Sequence, residues 1–333
     1  MQRPVSIAQS SMVHHSVAWL TKRFGRRPSD LLFRGVTFLL VLIVLGLVAG
    51  VAWVLLTSSL PTIRQFGFSF LTNQAFDPVH NIYGVEPAIF GTLVTSAFAM
   101  LFAIPIGVGA AIFLVDFCPR ALRQPLAFFA DLLAAVPSVI FGLWGFLVLA
   151  PWLNTSGEPW LAQHLGFLPF FQGQYHGLGL LAAGMILTIM VLPLIIAVSR
   201  EIMLVVPTAQ REAMLALGAT RWEVIRYAVL PFSRIGILGG IILALGRALG
   251  ETMAVTMVIG NQATRPSASL FDTGYTLSSV IANQFGEATP GLFLSSLLEA
   301  GLIIFIITLI TNFLARWFIT SLGQQHHPRG ARA

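Results

Sequence analysis

Lysine occurs once in the 333 residues, at Lys22, and cysteine once, at Cys118. Charged side chains of every kind make up 10% of the chain against a hydrophobic share of 56%, whereas soluble domains carry about a quarter charged residues. Each scarcity excludes something. One cysteine leaves no internal disulfide. One lysine, with no glycine-rich run before it, leaves no GxxxxGK[ST] loop, whose lysine must reach the nucleotide phosphates. His14–His15 and His326–His327 lack the Cys or carboxylate spacing of a metal site and read as solvated tails. No basic stripe with interleaved aromatics is present, so nucleic acid is not an expected partner. There is no internal repeat or low-complexity tract either. With a mean hydropathy of +0.84, the shortage of charge puts most of the chain in lipid.

Charge-free runs of 29 residues separate Arg34 from Arg64, and 29 more separate Glu86 from Asp116. About 20 apolar residues suffice to span a bilayer. The pattern predicts an all-α membrane protein with six transmembrane helices, roughly 34–57, 88–115, 126–150, 178–199, 235–259 and 292–318. A basic leader with Lys22, Arg23, Arg26 and Arg27 precedes the first. That first run is too long for a signal-peptide core and lacks a small-residue cleavage site, so it reads as an uncleaved anchor. Of the 19 Lys and Arg, all but Arg64, Arg247 and Arg265 fall on one side of this arrangement. The positive-inside rule then makes both termini cytoplasmic, with Cys118 at the cytoplasmic end of the second span. The pI near 10.4 reflects this asymmetry. The expected divisions are a leader over 1–33, a transmembrane domain over 34–318 and a tail over 319–333. Outer loops at about 58–87, 151–177 and 260–291 carry Trp152, Trp160 and Phe170, the mix of a membrane interface. They read as connectors, or as a docking surface for an external partner.

The longest inner loop, about 200–234, contains "VVPTAQREAMLALGATRWEVIRYAVLP", Val205 to Pro231. Pro207 suits a first helical turn and Gly218 the position just past a helix end. Thr220 and Glu223 have the spacing of a capping box, which starts a second short helix that Pro231 ends. Trp222, Ile225 and Val229 form one apolar stripe on it. Two such helices can lie on the inner bilayer surface, or fill a groove on a cytoplasmic partner.

"ALGRALGETMAV", Ala244 to Val255, places Arg247 and Glu251 one turn apart inside an apolar run. An arginine at the centre of a lone span costs about 2.5–3.5 kcal/mol on insertion scales. Spacing of i, i+4 lets the two groups offset each other on one helix face. One reading is a buried pair that only locks packing. The other is an anion path: Gly246 and Gly250 flank the arginine, Gly236 and Gly240 repeat the step below, and such faces allow close helix approach. A guanidinium suits a tetrahedral oxyanion through two parallel charge-assisted bonds, and Glu251, paired with it at rest, would compete the anion off. Glu299 in the sixth helix faces the same path or pairs with a backbone group, and Asp131 reads as interfacial.

Glu212-Ala213-Met214, Gly218 and Leu230-Pro231 resemble the EAA loop of importer-type ABC permeases, with Met214 where that family usually has Ala. Gly218 to Asn261, including Arg247-Ala248-Leu249-Gly250-Glu251-Thr252 and Ile259-Gly260-Asn261, is similar to the permeases of phosphate-specific ABC transporters. Arg-Ala-Leu-Gly-Glu alone is also similar to sulfate and molybdate permeases. The resemblance covers most of the chain and implies a multi-pass permease of the cell inner membrane that does no covalent chemistry itself. It implies a second, similar permease, two ATPase subunits carrying ATP and Mg, and an external phosphate-binding protein as partners, with lipid around them. Arg247, Glu251, Thr252 and Glu299 are then the candidate substrate path. Glu212, Ala213, Met214, Gly218, Trp222 and Pro231 are the candidate ATPase contact. A sulfate or molybdate permease, a passive anion channel and a membrane scaffold or sensor are the alternatives.

Overall fold

The computed structural model describes residues 28–262 and 267–324. The basic leader up to Arg27, both histidine pairs, Arg265 and the tail from 325 lie outside the described residues. The chain divides into two compact units, residues 1–54 and 55–333. In the first, the described residues form the beginning of α1 (Pro28–Phe66), a run of exposed apolar side chains from Leu32 to Val54. A helix apolar on all sides is suited to lipid.

The second unit continues through α2 (Glu86–Phe117), α3 (Arg120–Ala135), α4 (Ser138–Leu165), α5 (Leu180–Leu204), α6 (Thr208–Ala216), α7 (Arg221–Gly250), α8 (Met253–Val258), α9 (Leu277–Gln284) and α10 (Leu292–Gln324). No strand forms among the described residues. Six helices are long and apolar enough to cross a membrane: α1, α2, α4, α5, α7 and α10. Six spans is the expected number, but two sit elsewhere. The expected third span, 126–150, is two helices. Pro137 keeps Val136 extended (φ −66°, ψ 127°), because the α region is disfavoured before proline, and the span itself runs from Ser138. The expected fifth span, 235–259, starts earlier, at Arg221, and ends at Gly250.

Pro231 therefore does not end the second short helix. That helix runs on into α7 through a π turn at Ile225–Val229. Three further π turns occur among the described residues, at Phe113–Phe117, Gly145–Leu149 and Leu153–Gly157. A proline follows each of the four two residues on: Pro119, Pro151, Pro159 and Pro231. Proline supplies no N–H and crowds the carbonyl four residues back; before Pro151, Pro159 and Pro231 a widened turn relieves that crowding without breaking the helix, whereas α2 ends at Phe117, ahead of Pro119.

The core centres on α5. Ile186, Leu187, Val191 and Ile195 are essentially inaccessible, packed with Ala99 and Ala103 of α2, Ala244 and Ala248 of α7, and Val255 and Val258 of α8. Glycines set the spacing. A Cβ on Gly184 would lie 2.5 Å from Phe98, on Gly236 2.6 Å from Ile202, and on Gly240 2.7 Å from Val198. Small residues of this kind let membrane helices approach closely where no hydrophobic force drives them together.

A second cluster joins Phe70, Tyr83 and Val85 of the 67–85 loop to Leu277, Val280 and Leu297. That loop is closed by paired backbone bonds between Asp77 and Ile82. His80 Nδ1 lies 2.6 Å from Asp77 Oδ2, and this hydrogen bond holds the Asp77 carboxyl below its ordinary value.

Candidate functional site

Arg247 lies in the last turn of α7 and is exposed. The face it shares is open: Cβ atoms added to Gly239, Gly246 or Gly250 would meet nothing within 4 Å among the described residues, and Leu243 is 62% exposed. The two glycine steps expected on this helix thus do different things. Gly236 and Gly240 seat α7 against α5, while Gly246 and Gly250 leave a shallow strip around the guanidinium.

No ion pair joins Arg247 to Glu251, contrary to expectation. The i, i+4 argument needs one continuous helix, and α7 stops at Gly250. Glu251 is extended (ψ 129°), its carboxylate Oε1 accepts from Ala254 N–H at 3.3 Å, and its backbone N–H reaches back to Ala248 O at 3.4 Å. Glycine lowers helix propensity, and the Thr252 hydroxyl offers a local alternative, donating to Gly250 O at 3.3 Å. Breaking a span frees backbone groups that water cannot reach in lipid, so protein groups must take them up. The Ser278 hydroxyl of α9 donates to Glu251 O at 2.8 Å. Thr252 O accepts both the backbone N–H (2.9 Å) and the hydroxyl (2.8 Å) of Thr256. Arg247, Glu251 and Thr252 therefore sit together at a helix break, held from α9 by Ser278.

Glu299 is not on the open strip. It is 6% exposed, and its Oε2 has no hydrogen-bond partner among the described residues. One turn earlier, Ser295 stitches α10 to α1: its hydroxyl donates to Ser58 O at 2.9 Å and accepts from Thr62 N–H at 3.3 Å.

At the opposite end of α7 lies α6, with Pro207 preceding it as expected. Gly218 follows it at φ +83°, a conformation that costs other residues roughly 1–2 kcal/mol. The Thr220–Glu223 capping box is formed in full. Glu212 and Ala213 are exposed on α6, beside Leu215 and Leu217. Met214 instead is partly buried, packed against the cluster that includes Val115, Met203 and Val229. On α7, Trp222 is 53% exposed while Ile225 and Val229 are buried, and Pro231 is exposed in the helix.

Two residues unmarked by the sequence reading complete this end. Arg211 of α6 forms an ion pair with Asp116 in the π turn that closes α2, and donates through Nη2 to Met203 O at 2.9 Å. A lone arginine in a basic loop carries no signal of its partner 95 positions away. Ser278 was missed for the same reason.

Residues 103–324 match the family described as binding-protein-dependent transport system inner membrane component. Over 295 residues the chain is 46% identical to a phosphate transport system permease protein PstC of Mesorhizobium japonicum, covering 87% of this chain and 90% of that one. It is 42% identical over 307 residues to the PstC protein of Haemophilus influenzae, covering 91% and 97%. Among solved structures, a bacterial alginate ABC transporter chain superposes with TM-score 0.57 at 16% identity, over 86% of this chain and 93% of that one. A chain of the inward-facing MetNI methionine ABC transporter gives 0.53 at 17% identity, over 74% and 99%. At such identities the likeness is one of fold. The chain belongs to the family of binding-protein-dependent transport system inner membrane components.

Proposed function

We propose that this chain is a permease subunit of an ATP-driven importer of inorganic phosphate, with its membrane domain over residues 34–318. The observation that carries this reading is the likeness to phosphate transport permeases over 87% and 91% of the chain. In the proposal the chain works with a second permease, with ATPase subunits that bind ATP and Mg, and with an external phosphate-binding protein. Both termini and α6 face the cytoplasm.

The open strip on α7 is where the second permease closes a path, and Arg247 is the group that meets the anion there. A forked guanidinium can hold two oxygens of phosphate at once. In a low-dielectric passage that attraction is strong. Because Glu251 is engaged at Ala254 N–H, it does not have to be displaced before the anion binds. It orders the break that presents the arginine, and Thr252 adds a hydroxyl beside it. On the other side, Glu212 and Ala213 of α6 with Leu215, Leu217 and the Gly218 turn form the exposed ATPase contact, and Trp222 flanks it.

The test is uptake of radiolabelled phosphate by vesicles holding the purified complex, loaded with ATP and supplied with the phosphate-binding protein. Uptake that needs ATP and is competed by phosphate but not by sulfate supports the reading. ATP-independent equilibration would identify a passive channel, and competition by sulfate or molybdate would reassign the cargo.

A further inference from the structure

All of α6 is exposed except Arg211 and Met214. Met214 makes apolar contact, which has no direction and tolerates sliding. Arg211 is different. Its guanidinium is forked between the Asp116 carboxylate and Met203 O, and the pair is largely buried, with Arg211 21% and Asp116 14% exposed. Asp116 belongs to the π turn that ends α2, and Met203 is fully buried in the last turn of α5. The same π turn is gripped from α3 by Arg123, whose Nη2 donates to Val115 O at 2.6 Å. The backbone connects α6 to α5 and α7. Arg211 adds a rigid, directional tie to α2.

We propose that the Arg211–Asp116 pair is the joint that passes movement of α6 into α2 and α5, making both residues positioning residues of the transport cycle. The inference rests on α6 being the ATPase contact. Glu212, next in sequence to Arg211, is on the outer face, so a push received there reaches the inward-pointing guanidinium within a single turn of helix. The two charge-assisted bonds fix distance and angle together. The π turn at Phe113–Phe117 is the last turn of α2, with Cys118 extended beyond it, so the tie acts directly on the end of that helix. Displacing α2 and α5 moves the two helices between which the core is packed.

The experiment uses the complex purified through a tag on this chain and reconstituted in vesicles with the phosphate-binding protein. Three quantities are measured: the amount of ATPase subunit retained, the ATP hydrolysis rate with and without phosphate, and uptake of radiolabelled phosphate. Arg211→Gln and Asp116→Asn should each retain the ATPase and its basal hydrolysis, yet lower phosphate imported per ATP hydrolysed by roughly tenfold, the scale of an ordinary coupling energy. The exchanged pair, Asp116→Arg with Arg211→Asp, should recover part of that ratio, since the ion pair to α2 is remade in the opposite sense while the bond to Met203 O is not. A purely structural bond would lower yield, hydrolysis and uptake together and leave the ratio unchanged.

Single variants with the wild-type ratio would overturn the inference. Loss of the ATPase from the single variants would overturn it too, by assigning the pair to docking. Failure of the unaltered complex to hold an ATPase or import phosphate would instead remove the functional reading on which the inference stands.

Discussion

At the residue scale, the chemistry of α7 turns on where Glu251 points. Its Oε1 accepts from Ala254 N–H, so Glu251→Gln keeps an acceptor in place, and we expect it to assemble and to transport close to normally. Glu251→Ala removes the acceptor at the start of α8, a loss of the size of a helix cap, about 0.5–2 kcal/mol. It should lower the melting temperature of the detergent-solubilised complex. The opposite ranking, with Gln the more damaging, would restore the idea of a charge that competes with the anion. Glu299 offers a second contrast. Its unpartnered Oε2 is buried, and an unpaired buried charge is costly. Glu299→Gln should therefore leave yield and uptake intact; abolished uptake in a fully assembled variant would place Glu299 on the path after all.

At the element scale, the two glycine steps of α7 give opposite expectations for one small change. Gly240→Ala drives a methyl to 2.7 Å from Val198, overpacking that typically costs about 1–3 kcal/mol. Gly246→Ala meets nothing within 4 Å among the described residues and gains helix propensity, up to about 1 kcal/mol. Thermal unfolding of the isolated chain should fall for the first and hold or rise for the second, while assembly with the second permease should suffer in the second if that strip is the interface. Gly218→Val, forced to φ +83°, should insert normally but lose co-purifying ATPase, as should Glu212→Lys.

The capping box, the Gly218 turn and the number of spans were legible in the sequence, because each is set by local backbone chemistry or by hydrocarbon length. The ends of α4 and α7 were not. Hydropathy does not register a Val136–Pro137 break inside an apolar run. Nor does it show that a π turn carries a helix past Pro231, or that Gly250-Glu251-Thr252 stops one inside a span. The partners Ser278 and Asp116 were invisible because tertiary proximity chose them.

At the scale of the whole molecule, the proposed function commits to an orientation and a path. If both termini are cytoplasmic, as proposed, a cysteine at Thr220 in a Cys118→Ala background should stay unlabelled by an impermeant thiol reagent in intact cells, and one at Ser156 should react. Labelling of Thr220 alone would invert the molecule. The central claim, that phosphate passes the Arg247 strip, is tested most directly by the initial rate of ATP-driven phosphate uptake per assembled complex in vesicles bearing wild-type chain, Arg247→Lys or Arg247→Gln. The account predicts a reduced rate for lysine, which keeps the charge but loses the fork, and no measurable uptake for glutamine, with ATPase binding unchanged in both. Uptake by Arg247→Gln at the wild-type rate would contradict it.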